Sequence, residues 1–188
     1  LGQLVRAVFT SRSLVYRGVD ALERKAGPMA EQVIALAKKA GLSIAIAESI
    51  TGGALASALI SIDGASEVVL GSIVAYQDRI KEQLLGVSPA LIANQSAVDA
   101  EVAAQMAEGV RERLSKAAGK DLGSVIGIAT TGVAGPSSVS GRMPGEVFIA
   151  ISSSQGVTVY SENFEGSRNQ VRMLCLDRAI QILREHLA

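Results

Sequence analysis

Apolar segments of strand length alternate with helix-patterned segments along this chain, and their order constrains the fold more than any other feature. The predicted strands lie at 42–47, 68–76, 122–129, 146–153 and 157–164. The predicted helices of the same region lie at 31–40, 51–59, 81–85, 98–118 and 168–187. Strands separated by helices favour a sheet covered on both faces, whereas the short Ser154-Gln155-Gly156 link predicts a hairpin. We therefore predict an α/β domain with a mixed sheet.

The first 27 residues form a separate pattern. Apolar residues recur there every seven positions, at Leu1, Val8, Val15 and Leu22, and Gly27-Pro28 follows. This pattern predicts an amphipathic helix that ends at the Gly-Pro pair, which divides the chain into an extension at 1–27 and a main domain at 28–188. Its basic residues would suit a nucleic acid or membrane surface, but a solvated helix face is the commoner reason for such charge. Packing on a neighbouring subunit is the functional role that we favour.

The residue counts disfavour several classes of function. Eighteen Lys plus Arg balance eighteen Asp plus Glu, so no net charge attracts nucleic acid or an anionic membrane. No run approaches the ~20 apolar residues that a membrane-spanning helix needs. One cysteine and one histidine leave few ligands for zinc or iron, and a single cysteine cannot form an internal disulfide. With no leader segment recognised, we expect a soluble, cytoplasmic protein without metal or cofactor.

Two glycine-containing loops follow predicted strands and form the candidate site. The first runs from Ala47 to Gly53 and leads into a helix, whose N-terminus offers free N–H groups to a ligand. A simpler interpretation is that Ser49 or Thr51 only caps this helix. The second loop runs from Thr130 to Ser138, and its glycines and proline are equally compatible with a plain turn. Neither loop has a phosphate-loop or dinucleotide-binding pattern, which disfavours those two ligand classes.

Tyr76 and Lys81 end the second predicted strand and enter the following helix. A lysine at such a position is most often a solvated surface charge. A desolvated lysine, however, can act as a base toward a serine hydroxyl, and this would permit nucleophilic catalysis without histidine. The only histidine, His186, is the third residue from the end of the printed sequence, which makes a Ser-His-Asp triad an unfavourable hypothesis.

Three arginines are candidate anion ligands. Arg142 lies in the second loop region, and Arg168 and Arg172 lie one turn apart at the start of the last predicted helix. Two guanidinium groups at that spacing could hold one phosphate together. The alternative is that they pair with Glu162 or Glu165 on the surface.

Four sequence blocks, taken in order, resemble the C-terminal domain of the CinA (competence- and damage-inducible) family. The blocks are Ala47-Glu48-Ser49-x-Thr51-Gly52-Gly53, Val74-x-Tyr76-x-x-x-x-Lys81-x-x-Leu84-Leu85-Gly86-Val87, Thr131-Gly132-Val133-Ala134-Gly135-Pro136 and Phe164-x-Gly166-x-Arg168-x-x-x-Arg172. The resemblance spans about residues 31–187. It implies a three-layer α/β/α sandwich and a nicotinamide-nucleotide amidase, which converts nicotinamide mononucleotide to nicotinic acid mononucleotide and ammonia.

The resemblance also implies roles for individual residues. Ser49 matches the nucleophile, and Tyr76 and Lys81 match the residues that assist it. The substrate-holding parts correspond to Glu48, Thr51, Gly52, Gly53, Thr131, Gly132, Ala134, Gly135, Arg142, Arg168 and Arg172. We expect neutral Lys81 to take the proton of Ser49, either directly or through Tyr76. The N–H groups of 51–53 should hold the oxyanion, with those of 132–135 as the second possibility. The expected partners are a small-molecule nucleotide and further copies of the same chain, as a dimer or higher homo-oligomer.

The main domain departs from the family pattern at three places, and the altered stretch after Pro136 leaves a second function open. Ile50 stands where the family usually has cysteine, and Ser167 replaces an acidic residue. The stretch 137–145 lacks the family's Glu-Lys-Pro-Val-Gly sequence, which predicts a loop of different shape. A ligand-binding or regulatory module that keeps the pocket without turnover is therefore the alternative to an enzyme.

Overall fold

The computed structural model describes residues 23–188 of the chain. The α-helices of this part are α1 Glu23–Ala40, α2 Ala54–Ile60, α3 Asp78–Leu85, α4 Pro89–Gln95, α5 Ala100–Ala118 and α6 Arg168–Leu187. The strands are β1 Ser43–Glu48, β2 Val69–Val74, β3 Val125–Gly132, β4 Glu146–Ser153 and β5 Gly156–Asn163. None of the described helices is both long and apolar enough to cross a membrane.

The strands form one sheet in the order β2-β1-β3-β4-β5. Strand β1 is parallel to both of its neighbours, β2 and β3. The pairs β3-β4 and β4-β5 are antiparallel, and the last pair is the expected hairpin. The predicted mixed sheet is therefore confirmed, and the carboxyl ends of β1, β2 and β3 lie at the same edge.

Large aliphatic side chains cover one face of the sheet. Ile44 and Ile46 of β1 lie beside Ile126 and Ile128 of β3, and all four are buried. Because side chains alternate across a strand, these residues point to the same face, where α1, α2 and α6 pack on them. This layer contains the larger of the two apolar cores.

The opposite face of the sheet carries small residues. Ala45 and Ala47 of β1 pair there with Gly127 and Ala129 of β3, and helix α5 packs against them. A Cβ atom added at Gly127 would overlap the carbonyl oxygen of Ala107 on α5. Helix α5 therefore lies against the strand backbone, with α3 packed alongside it. Helices on both faces confirm the three-layer α/β/α arrangement.

The predicted helix stop at Gly27-Pro28 is wrong, because α1 runs from Glu23 through Pro28 without interruption. A proline removes only its own N–H donor and disturbs one turn, while the buried residues Ala30, Val33 and Ala37 hold the rest of the helix on the core. Residues 1–22, which carry most of the predicted N-terminal helix, lie outside the described part. The proposed division at residue 28 stays a prediction.

Other element boundaries differ more modestly. Strand β3 continues to Gly132, so the first three residues of the predicted second loop pair with β4. Strand β2 ends at Val74, before Tyr76. Helix α4 was not predicted; it is short, and Ser88 caps its first turn by accepting a hydrogen bond from the N–H of Leu91.

We expect Gly109→Ala in helix α5 to destabilise the fold. An alanine in a helix normally gains about 1 kcal/mol over glycine, but a Cβ here would overlap the backbone carbonyl of Leu85, which cannot rotate away. Overpacking of this kind costs roughly 1–3 kcal/mol, so the free energy of unfolding in urea should fall. The exposed Glu112→Ala change on the same helix should alter it by less than about 0.5 kcal/mol. A Gly109→Ala protein as stable as the parent would contradict the close packing of α5.

Candidate active site

The carboxyl ends of β1 and β3 open into a cavity of about 330 Å³, which we call the site cavity. This volume falls in the range of small-molecule pockets, roughly 300–1,000 Å³. The predicted site residues that line it are Ser49, Gly52, Tyr76, Lys81, Thr131, Gly132, Ala134, Gly135, Arg168 and Arg172. The lining also includes Ile50, Val133 and Ser137, which belong to the two predicted loops, and four residues that the sequence did not indicate, namely Asp78, Ala97, Val98 and Val139. The predicted residues that do not line it are Glu48, Thr51, Gly53 and Arg142.

Glu48 lies beneath the start of helix α2 and not in the site cavity. Its side chain is fully buried, and its carboxylate accepts hydrogen bonds from the N–H groups of Gly53 at 2.8 Å, Leu55 at 3.0 Å and Ala56 at 2.9 Å. The hydroxyl of Ser72 donates a further, longer bond of 3.4 Å. Glu48 therefore caps α2, the role that the simpler interpretation gave to Ser49 or Thr51.

The same contacts change the candidates for an oxyanion site. The N–H of Gly53 donates to Glu48, so it is not directed at a ligand. Thr51 is also turned inward, since its side chain is fully buried and its hydroxyl lies 2.8 Å from that of Thr130. Of the predicted 51–53 turn, only Gly52 lines the site cavity.

Ser49 lies at the floor of the site cavity, just after β1. The residue is 8% exposed, and its backbone N–H donates to the carbonyl of Thr130 at 2.9 Å, which extends the pairing of β1 with β3. Within residues 23–188, its hydroxyl makes no hydrogen bond. Ser49 is thus not a helix cap, and its hydroxyl is available to a bound molecule.

Lys81 is buried, with 2% of its side chain exposed, so the interpretation as a solvated surface charge is wrong. Its Nζ donates to the carbonyl oxygen of Tyr76 at 3.3 Å and lies 3.2 Å from Oδ1 of Asp78. Asp78 is 55% exposed and was not foreseen as a site residue. The structure therefore places Lys81 in the same cavity as Ser49, but paired with Asp78.

Arg168 joins the second loop to Tyr76. Its Nη1 donates to the carbonyl of Gly135 at 2.8 Å, and its Nη2 donates to the phenolic oxygen of Tyr76 at 3.1 Å. Tyr76 itself is 64% exposed at the rim of the site cavity. The predicted alternative was that Arg168 and Arg172 pair with Glu162 or Glu165. Within residues 23–188 neither arginine forms such an ion pair, and Glu162 pairs with Arg178 instead.

Arg172 contacts the first loop. Its Nε donates to the carbonyl of Ile50 and its Nη2 to the carbonyl of Thr51, both at 3.0 Å. The remaining Nη1 lies 3.4 Å from Oδ1 of Asn169. Both arginines at the start of α6 therefore line the site cavity while holding protein groups.

Arg142 is directed elsewhere. Its Nη2 pairs with Oδ2 of Asp99 at 2.7 Å, and its guanidinium lies over the ring of Phe148. Asp99 caps helix α5 through the N–H of Glu101, so this pair ties the loop after β3 to the start of α5. The structure thus gives Arg142 a loop-anchoring position and leaves it outside the lining of the site cavity.

Part of the lining of the site cavity is apolar, and the residues that provide it are Ala97, Val98, Val133 and Val139. Thr131 holds the segment of Ala97 in place, because its hydroxyl donates to the carbonyl of Ala97 at 2.8 Å. Ala97 lies just before α5 and 34 positions before Thr131 in the sequence, so no local pattern could have assigned it to the site.

The described residues offer little for other site chemistry. Residues 23–188 contain no cluster of three or more His, Cys, Asp or Glu side chains that could hold a metal ion. Cys175 is fully buried on α6, where desolvation raises the pKa of its thiol far above the ordinary value. Partial burial lowers the pKa of His186, which is not among the residues lining the site cavity.

Comparisons with known proteins find one family throughout. The model of the CinA C-terminal domain matches residues 26–187. A protein of Desulforamulus reducens named as competence-damage inducible is 43% identical over 148 residues, which are 79% of this chain and 34% of that protein. A CinA-like protein of Acidobacterium capsulatum is 36% identical over 170 residues, 89% of this chain and 39% of its own length. The chain thus spans between a third and two fifths of these relatives.

A solved structure shares the fold. The crystal structure of the competence/damage inducible protein CihA from Agrobacterium tumefaciens superposes with a TM-score of 0.77 at 29% identity. The superposition covers 87% of this chain and 95% of that one. The described part of this chain therefore corresponds to nearly the whole of that structure.

We expect Glu48→Gln to lower the free energy of unfolding by roughly 1–3 kcal/mol. The amide has the shape of the carboxylate, but its NH₂ group is a donor. It would face at least one of the three N–H groups that now donate to Glu48, and that hydrogen bond would be lost. Urea unfolding measures the loss. Glu67→Gln is the matched control, because its pair with Lys38 is exposed and such pairs contribute at most about 1 kcal/mol. Equal losses in the two variants would contradict the capping role.

Proposed function

Because the chain belongs to the CinA C-terminal domain family, we propose that it is a nicotinamide-nucleotide amidase, which hydrolyses the carboxamide of nicotinamide mononucleotide. The activity itself comes from the family resemblance. The observation that carries it to this chain is the presence of an available serine hydroxyl, Ser49, and a buried lysine, Lys81, in the lining of one cavity. A serine and lysine so placed are the groups needed for acyl transfer without histidine.

The lining of the site cavity contains groups that suit two parts of the proposed substrate. The guanidinium of Arg168 is positively charged, and a phosphate carries negative charge. Val98 and Val133 add apolar surface to the lining, against which the flat pyridinium ring of the substrate can pack.

The proposed reaction begins with attack by the hydroxyl oxygen of Ser49 on the carboxamide carbon. The hydroxyl proton passes to the neutral amine of Lys81, and the carbonyl oxygen takes the negative charge. When the C–N bond breaks, Lys81 returns that proton to the leaving nitrogen, and ammonia departs. Water then attacks the ester on Ser49, which yields the carboxylic acid and restores the hydroxyl.

Asp78 bears directly on the first step. In the described structure Lys81 is paired with this carboxylate, and an ammonium in an ion pair cannot accept a proton. Lys81 must therefore lose a proton before attack begins. Because more than half of the Asp78 side chain is exposed, its carboxylate connects the buried amine to solvent and provides a path for that proton.

Proton transfer alone is too weak to account for amide hydrolysis. General acid-base assistance supplies roughly 10²- to 10⁴-fold, so donors to the oxyanion must add to it. One well-placed donor contributes roughly 10²- to 10³-fold. The N–H of Gly52 is our first candidate and that of Gly135 the second, since both residues line the site cavity and neither N–H makes a hydrogen bond within residues 23–188.

A binding or regulatory module is the second candidate function. The observation that favours it is the pairing of Lys81 with Asp78 and with the carbonyl of Tyr76. In these contacts the amine of Lys81 binds other groups and does not bind the hydroxyl of Ser49. Such a protein would bind nicotinamide mononucleotide in the same cavity and release no ammonia.

We expect ammonia release from nicotinamide mononucleotide, and a loss of at least about 10³-fold in Ser49→Ala. Lys81→Met should lose roughly 10²- to 10⁴-fold, because it keeps the length of the side chain but removes the base. A coupled ammonia assay measures each rate, and titration calorimetry measures binding of the same compound.

Ser137→Ala is the control, since Ser137 lines the same cavity and has no role in the proposed reaction. Its rate should stay close to that of the parent. Binding without ammonia release would favour the module, whereas ammonia release that survives Ser49→Ala would contradict the serine mechanism.

A further inference from the structure

The guanidinium group of Arg172 is committed to the protein backbone. It spans two successive carbonyls, those of Ile50 and Thr51, with bonds of 3.0 Å each, and its third nitrogen faces Asn169. It also lies against the turn itself, because a Cβ added at Gly52 would lie 3.2 Å from Nη2. A planar fork that donates to two adjacent carbonyls fixes their orientation as well as their position.

These bonds determine where the neighbouring N–H groups point. In a trans peptide the C=O and N–H lie on opposite sides, so holding the carbonyl of Thr51 on Arg172 turns the N–H of Gly52 away from the arginine. The next N–H, that of Gly53, is already held by Glu48. Arg172 and Glu48 therefore hold the turn at two points, while the N–H of Gly52, beside the site cavity, makes no hydrogen bond within residues 23–188.

Gly52 itself is suited to this arrangement. Its φ of 62° lies in the left-handed region, which glycine adopts without the strain that a side chain would add. The residue follows Ser49 by three positions and lines the same cavity. A donor held at this point is placed to meet an oxyanion formed when Ser49 attacks.

We propose that Arg172 is a positioning residue: it holds the turn after Ser49 so that the N–H of Gly52 binds the oxyanion, and it does not serve as a ligand for the substrate's phosphate. This inference rests on the proposed function and deepens it. It separates Arg172 from Arg168, whose contacts are with Tyr76 and the second loop and which stays the candidate phosphate ligand.

The two roles predict different kinetics. Loss of a phosphate ligand weakens binding of nicotinamide mononucleotide and raises its KM. The KM for nicotinamide riboside should not change, because the riboside lacks the phosphate. Loss of a positioning residue lowers kcat and does so for both substrates, because the oxyanion is the same in each.

We expect Arg172→Met to lower kcat for nicotinamide mononucleotide by roughly 10²-fold, with KM changed by less than about threefold. The loss of kcat/KM should be similar for the riboside. Arg172→Lys should recover part of kcat, because an ammonium can reach one carbonyl but not span two. A raised KM with kcat preserved, or a loss confined to the phosphorylated substrate, would overturn the proposal.

Arg178→Met is the matched control on the same helix. Arg178 pairs with Glu162 and Glu185 and does not line the site cavity. The kinetic constants of the Arg178→Met variant should therefore match those of the parent. Thermal unfolding of each variant checks that it is folded. If Arg172→Met does not fold, the kinetic constants of Arg172→Lys provide the test.

A substrate-independent test separates this inference from the proposed function. If the parent chain releases no ammonia, the amidase proposal fails, but the rate at which a fluorophosphonate modifies Ser49 still reports the placement of the turn. Ser49→Ala gives the background. Arg172→Met should slow this modification by at least about tenfold, since the reagent's oxygen uses the same donor. An unchanged rate would overturn the positioning role.

Discussion

The buried carboxylate of Glu48 is the interaction on which the site depends. Glu48 ends strand β1, has no exposed surface, and accepts hydrogen bonds from three N–H groups at the start of α2. A buried charge without partners would be costly, but here the helix terminus supplies donors and a favourable dipole. One side chain thus fixes the angle between strand and helix. The turn that carries Ser49 and Gly52 is held between those two elements.

The last helix completes what Glu48 begins. Arg168 and Arg172 stand one turn apart at the start of α6, and each reaches a different loop, the second through Gly135 and the first through Ile50 and Thr51. The latter contacts join positions more than a hundred residues apart in the chain. The packing of α6 on the sheet therefore supplies part of the lining of the site cavity and holds both of its loops.

Sequence reading succeeded wherever a local pattern carried the information. The apolar runs located all the described strands, and the hairpin at Ser154-Gln155-Gly156 was confirmed. It failed at Gly27-Pro28, because core packing keeps α1 helical through a pair that usually ends a helix. It also placed the end of β3 too early, since Thr130 and Thr131 resemble loop residues and are strand residues only because β4 pairs with them.

The sequence by itself determined the fold class, the family and the candidate residues, because periodicity and motif order are properties of neighbouring positions. Only the tertiary structure decided what each polar side chain does. Glu48 became a helix cap, Arg142 an anchor for Asp99, and Asp78 the partner of Lys81. A charged side chain satisfies whichever opposite charge or free dipole folding brings within a few ångströms, and that neighbour comes from distant parts of the chain.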